Sequence, residues 1–328
     1  MSLLFVGTSA SAPANTRTLS LKDGSHQDDG LILRQIQECG FFYSVRKYLL
    51  IAFRFELPAH LAVTRSLALP QTCALTKRYP LQPFKYLHNF LALSFSTHSR
   101  AIILSNHYRF LGKVVANDFI GRICQGSISL WEETVEGRRY AIDLTYPKNE
   151  EGELFLVFTE DSSRLFTLSF TIAPGDLLKV EDNQVVFIGR LQGVANKRDA
   201  VKQAGKSFHD VSPQALLLAA VRGIAAAFKI SGIVGVSAQN QVCKDRTPSP
   251  ESSKAAYDEF YISAGGTALG EEFFYLSATP NEKPLSEIKN NHRSRVKRKR
   301  EIKNVLIEEV SSAFQNKCLS SRVYGDRP

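Results

Sequence analysis

The stretch LFLVFTEDSSRLFTLSFTI, residues 154–172, decides the fold. It holds two runs, Leu154–Thr159 and Leu165–Ile172, rich in aromatic and β-branched residues, the composition of a buried strand. Three neighbouring runs have the same character: Gly126–Glu133, Arg139–Tyr146 and Gln184–Leu191. Glu136-Gly137, Glu151-Gly152 and Pro174-Gly175 punctuate them as turns. Five closely spaced strands with short connections predict an antiparallel meander.

On the N-terminal side the pattern is helical. Residues 1–30 carry Ser, Thr, Gly and Asp without periodicity and read as a disordered leader. Ile32, Ile36, Phe41, Val45 and Leu49 then recur at helical spacing. Pro58, Pro70, Pro80 and Pro83 cut the next stretch into short pieces, and Lys85–Leu93 and Arg100–Val115 read as helices. On the C-terminal side, Lys197–Phe208 reads as a helix. Ser212-Pro213 starts another, a cap followed by proline in the first turn. Gly232–Ser237 reads as a strand, Tyr257–Ala264 as a helix closed by Gly265-Gly266, Phe273–Leu276 as a strand and Leu285–Phe314 as a helix. The class is therefore α+β: a helical N-terminal half, then a mostly antiparallel sheet with helices. The expected organisation is a leader (1–30), a helical region (31–120), a sheet core (121–284), a basic helix (285–316) and a tail (317–328).

Composition excludes more than it assigns. The chain has 328 residues, 44% hydrophobic and 22% charged, which rules out a wholly disordered chain, a collagen and a bare coiled coil. The net charge is +9. Residues 289–303 hold eight basic side chains and Glu301, a local +7, which leaves about +2 for everything else. The five cysteines are scattered without a CxxC, and the seven histidines form no HxH or HxxxH pair, so a metal site is not expected. Nucleotide-loop, dinucleotide and serine-hydrolase motifs are lacking. Phe41–Phe53 and Pro213–Val236 are apolar but interrupted by charges, so no transmembrane segment is expected.

Four groups could carry chemistry. His107-Tyr108-Arg109-Phe110-Leu111 reads either as a packed helix with a hydrogen-bonded histidine or as a ligand contact through His107 or Arg109. Ile188–Gly193 closes the last strand of the meander. There Arg190 and Gln192 share a side by two-residue alternation, and glycine permits close approach. A helix following Gly193 would point its first amides at an anion, with Lys197 and Arg198 beside it. Tyr257-Asp258-Glu259-Phe260-Tyr261 reads either as a helix packing three rings or as an acid/base group through Tyr257 or Asp258. The basic run Arg293, Arg295, Lys297, Arg298, Lys299 and Arg300 reads as a solvated helix face, a nucleic-acid patch or an anchor on anionic membrane.

In order and spacing, these groups resemble the VirK/YbjX family of Gram-negative bacteria over about residues 35–315. The match runs through His107–Leu111, the Ile188–Gly193 strand end, the turn and helix start at His209–Gln214, the strand at Val236–Ala238, the Tyr257–Gly266 helix and the basic final helix. Ser212-Pro213-Gln214 stands where the family has Arg-Pro-Lys, Ala238 where it has Asn, Gln241 where it often has His, and Tyr261 where it has Trp. The resemblance implies a role in virulence or in tolerance of cationic antimicrobial peptides at the envelope, and no assigned activity.

The element order of the second half is also similar to that of GNAT-type N-acyltransferases, in which a strand end and the next helix hold a cofactor pyrophosphate. That similarity implies acetyl-CoA or another acyl-CoA as cofactor. Arg190, Gln192, Gly193, Lys197 and Arg198 would be its contacts, with Tyr257 or Asp258 as acid/base. The alternative is a non-enzymatic protein that docks on an anionic membrane or a protein partner through the basic helix. Nucleic acid is disfavoured by the near-neutral remainder of the chain. Either way the expected place is the cytoplasm or the inner membrane face.

Overall fold

The computed structural model describes residues 41–53, 56–147, 151–242 and 255–321. The expected leader, the first turns of the first helix and most of the tail lie outside these residues.

The N-terminal layer is helical: α1 (Phe41–Phe53), α2 (Leu57–Leu67), α3 (Cys73–Arg78), α4 (Thr97–Val114) and α5 (Phe119–Gln125). Pro58 sits in the first turn of α2, where its missing N–H leaves no helical bond unmade. Ser96 starts α4, its side chain accepting from the Ser99 amide at 3.0 Å. The sequence predicts a helix over Lys85–Leu93, but a 3₁₀ turn at Gln82–Leu87 ends at His88. Beyond it the chain is spoken for: Asn240 accepts from the Leu93 and Ser94 amides through its carbonyl and side-chain oxygens.

The meander is present as β1 (Ile128–Val135), β2 (Arg138–Thr145), β3 (Leu154–Glu160), β4 (Ser163–Pro174) and β5 (Gln184–Gly193), each antiparallel to the next. Two helices, α6 (Arg198–Ser207) and α7 (Pro213–Phe228), cross over to β6 (Gly232–Val236), which pairs parallel to β5. A π-helical turn at Ala255–Glu259 runs into α8 (Phe260–Ser263). The hairpin β7 (Thr267–Leu269) and β8 (Phe273–Ser277) follows, then α9 (Asn290–Cys318). The eight strands run in the order β1-β2-β3-β4-β5-β6-β8-β7, so the class is α+β with a mostly antiparallel sheet. β7 is too short to be read from its three residues. The last helix begins at Asn290, because Pro284 and the 3₁₀ turn Leu285–Glu287 precede it.

β4, β5 and β6 are buried almost residue for residue, so both faces of the central sheet are covered. α4 packs on β4, α7 crosses β3, β4 and β5, and α9 lies on α7 and β1. Ser212 caps α7 by accepting from the Ala215 amide, and Lys229 closes it in the left-handed conformation. The α7–α9 crossing depends on Gly223. A Cβ there would lie 2.7 Å from the Ile307 carbonyl oxygen and 3.0 Å from Val310. Phe228 and Phe314 meet edge to face at 4.9 Å on the same seam.

Gly223→Ala should therefore lower stability to urea by about 1–3 kcal/mol through overpacking. The α5 glycine Gly121, which has nothing near its Cβ position, should gain up to about 1 kcal/mol on the same change. Equal shifts for the two variants would show that the close crossing is not what Gly223 provides.

Candidate functional site

The segment Glu151-Gly152-Glu153 enters β3 with two carboxylates that are both buried. Glu153 faces the helical layer. It accepts from Lys85 Nζ at 2.6 Å, from Gln82 Nε2 at 2.6 Å and from the Tyr108 hydroxyl. Tyr146 donates to Gln82 Oε1 at 2.8 Å, and Lys85 also reaches the Gly152 carbonyl at 3.1 Å. Burial, reinforced by the Glu153 charge, holds the Tyr108 and Tyr146 hydroxyls protonated, far above the usual phenol range.

Glu151 forms a separate ion pair with Arg190 on β5, and Arg190 also donates to Gln192 Oε1. Gly189 makes this possible. It is the extra residue of a bulge, since Ile188 pairs with Phe170 and Arg190 with Ser169. A side chain at 189 would collide with the Glu151 carbonyl oxygen. The same bulge ends the pairing with β6. Val185–Ile188 match Gly232–Gly235, and beyond them the two parallel strands part while β5 continues along β4 to Gly193.

The Tyr257 hydroxyl sits on the edge so opened and accepts from the Leu191 amide at 3.3 Å. Burial pushes its pKa up to about 12, against the Leu191 hydrogen bond and the nearby Gln241 and Arg190. Tyr257 therefore keeps its proton at neutral pH. Having accepted from a main-chain N–H, it still has that proton to donate. It lies in the π-helical turn, a local winding often found where a helix presents a functional side chain. Arg190 Nε, Gln241 Nε2 and the Ser237 hydroxyl, on the two strand ends and the segment leaving β6, are buried without a hydrogen bond of normal geometry. An opening at the carboxyl ends of adjacent parallel strands is a recurrent ligand position in sheets with crossover helices.

The structure thus brings together Arg190, Gln192 and Tyr257 from the sequence reading. Gly193 pairs with Phe166 at the end of β5, and Lys197 and Arg198 stand at the start of α6. Asp258 turns away and accepts from the Ala238 amide at 2.8 Å, pinning the segment after β6. His107 is wholly buried. Its Nδ1 accepts from the Ile172 amide, its Nε2 has no partner, and burial, aided by the Lys85 charge, lowers its pKa to about 3. Arg109 is exposed on α4, away from this group. Of the basic run, Arg293, Arg295, Lys297 and Arg298 face solvent, with Arg295 paired to Asp210. Lys299 donates to the Asp210 carbonyl, and Arg300 pairs with Glu282 at 2.9 Å. Ser212 serves as the α7 cap and Gln214 is half-buried; Ala238 and Gln241 are buried beside the opening. Tyr261 stacks on Phe274 at 5.6 Å.

Glu151 and Glu153 are the residues sequence reasoning missed, because Glu-Gly between two strands reads as a surface turn. Among the described residues no three His, Cys, Asp or Glu side chains gather as a metal site requires, and no helix is long and apolar enough to cross a membrane.

The two buried histidines set an acid limit. His60, also neutralised by burial, has a pKa lowered to about 4. Unfolded histidine protonates near 6.5, so below that pH the unfolded chain binds more protons and stability falls. Each histidine should contribute about 1.4 kcal/mol per pH unit to that fall between pH 6.5 and about 4. His107→Asn keeps an acceptor for the Ile172 amide and should remove roughly half of the slope in urea titrations between pH 6.5 and 5. An unchanged slope would mean that His107 is already free to protonate in the folded chain.

Comparison with known proteins gives the family. The family described as "Protein of unknown function (DUF535)" matches residues 46–312. The uncharacterized protein YbjX of Escherichia coli (strain K12) is 23% identical over 255 residues, covering 75% of this chain and 76% of its own. No solved structure matches. The match over 46–312 spans every strand and all but the end of α9, and by it the chain belongs to the DUF535 family, the VirK/YbjX family.

Proposed function

We propose that this protein is an acyltransferase that holds a CoA thioester along the parted edge of β5 and passes its acyl group to an amine. The observation that carries the reading is the Tyr257 hydroxyl accepting from the Leu191 amide, where the parallel strands separate. An extended pantetheine arm carries amides that can pair with such an edge as an added strand does. Lys197 and Arg198, at the start of α6, would contact the pyrophosphate, with the first α6 amides favouring an anion. In the transfer, the amine nitrogen forms a bond to the thioester carbonyl carbon and the C–S bond breaks. Tyr257 protonates the departing thiolate, and the proton lost by the amine restores the phenol. The acceptor amine belongs to an envelope component, in keeping with the association of the family with virulence and antimicrobial-peptide tolerance.

Acetyl-CoA at about a hundred times its dissociation constant should stabilise the protein by about 2.7 kcal/mol in a thermal melt. It should also protect the amides after Gly189 from hydrogen exchange. Tyr257→Phe should keep that binding and slow transfer by about 10²–10⁴-fold. If no CoA thioester stabilises the wild-type protein, the acyltransferase reading is wrong.

A second reading has its own observation. Arg293, Arg295, Lys297 and Arg298 form a solvent-facing basic stripe on α9, suited to docking at the inner face of an anionic membrane. Replacing Lys297 and Arg298 by glutamine should weaken partitioning onto anionic vesicles by about 2 kcal/mol, roughly 30-fold. Unchanged partitioning would dismiss the stripe as an anchor.

A further inference from the structure

The inward side of the same helix carries a different feature. Between α7, α8 and α9 lies a groove of about 520 Å³, well within the range of small-ligand sites. Its walls include Leu218, Phe260, Ile262, Ile288 and Val296. Ile262 is 60% exposed and extends this apolar wall to the surface. Its floor includes Arg222, from the middle of the otherwise apolar α7, at 6% exposure.

A buried guanidinium has five donors and a desolvation penalty of several kcal/mol, met only by good hydrogen bonds or an opposite charge. Arg222 has neither in full. Its Nη2 makes one long bond, 3.4 Å, to the Ala264 carbonyl, and its Nε has no partner. Burial lowers its pKa, and among the described residues the counter-charge it feels is Glu282. Glu282 is already shared between Arg300 at 2.9 Å and Lys303 at 3.2 Å. Lys299 and Lys283 line the same groove. Five cations (Arg222, Lys283, Lys299, Arg300, Lys303) and one carboxylate, Glu282, therefore line the groove, an excess of four positive charges among its lining residues beside an apolar wall.

We propose that this groove is a ligand site, separate from the β5 opening, for an amphipathic phosphate: a phosphomonoester head on Arg222 with an alkyl portion along Phe260, Ile262 and Val296. The charge excess favours a dianionic head over a single carboxylate. The Arg222 fork suits two phosphate oxygens at once. The apolar wall and exposed Ile262 account for a hydrocarbon body rather than free phosphate. Nothing in this assignment depends on acyl transfer, since neither Tyr257 nor β5 lines the groove.

The test uses the full chain with octyl phosphate, below its micelle concentration, against inorganic phosphate, read by thermal shift and calorimetry. Octyl phosphate should bind at least tenfold more tightly than inorganic phosphate. Arg222→Met should lose at least tenfold of that affinity. Methionine fills similar volume and removes the buried charge, so this variant should fold at least as well as the wild type. Lys303→Gln, at the half-buried rim, gives a second, milder loss without touching the floor. A third arm uses phosphatidylcholine vesicles containing phosphatidate. Sedimentation lost in Arg222→Met assigns the head group to a membrane lipid. Octyl phosphate binding without sedimentation assigns it to a soluble amphiphile. Either result supports the site. Equal affinity for the two phosphates, no binding of octyl phosphate, or full affinity in a folded Arg222→Met protein overturns it.

Discussion

A carboxylate with no access to water anchors this molecule. Glu153 stands just before β3, and the side chains its carboxylate touches come from elsewhere: Gln82 and Lys85 from the 3₁₀ turn, Tyr108 from α4. A charge buried that deeply is tolerable only if all its partners arrive together. The helical layer and the sheet are therefore one cooperative structure along this seam. Removing Lys85 alone would leave the anion stranded. Replacing the whole cluster with apolar groups could be neutral, which places the weight of the network on specifying how α4 and the 3₁₀ turn sit on the sheet.

From that seam the β5 opening follows. Glu153 holds the start of β3 against the helical layer, and Glu151, two residues earlier, lays its main-chain carbonyl over Gly189. The bulge at Gly189 ends the β5–β6 ladder and frees the Leu191 amide. Tyr257 fills the gap with the one group that can both accept from that amide and keep a proton to give. The α7–α9 groove, by contrast, is built by a close helix crossing at Gly223, one residue from Arg222, and neither Tyr257 nor β5 lines it. One element, α7, thus helps cover the sheet with its apolar residues and supplies a cation to a separate groove.

The meander was legible because each of its strands carries its own composition and sits between strong turn signals. The caps at Ser212 and Gly265 were legible for the same local reason: each is decided within a few residues. The side shared by Arg190 and Gln192 followed from strand alternation alone. What could not be read was set by distant partners. Glu151 finds Arg190 39 residues away, and Glu153 finds Lys85 68 residues away. Without those partners a glutamate before glycine looks like solvent-facing turn. His107 and Asp258 had chemistry that fitted a site, yet the fold spends both on main-chain amides. The basic run looked uniform in sequence, but helical geometry sends Lys299 and Arg300 inward and Lys297 and Arg298 outward.

The spacing of Glu151 and Glu153 also restricts how such a chain can change over generations. Strand alternation alone would put both carboxylates on one side; they reach different partners, Arg190 and Lys85, because the chain bends at Glu151 and Glu153 before β3 begins, with Gly152 between them pressed against Ser169 and Phe170. Inserting or deleting a single residue there would disrupt that bend and pull one carboxylate away from Lys85 or Arg190. Drift in loop length is harmless on most protein surfaces. Within these three residues it is closed off, and divergence must proceed by substitution at both partners or by length changes elsewhere.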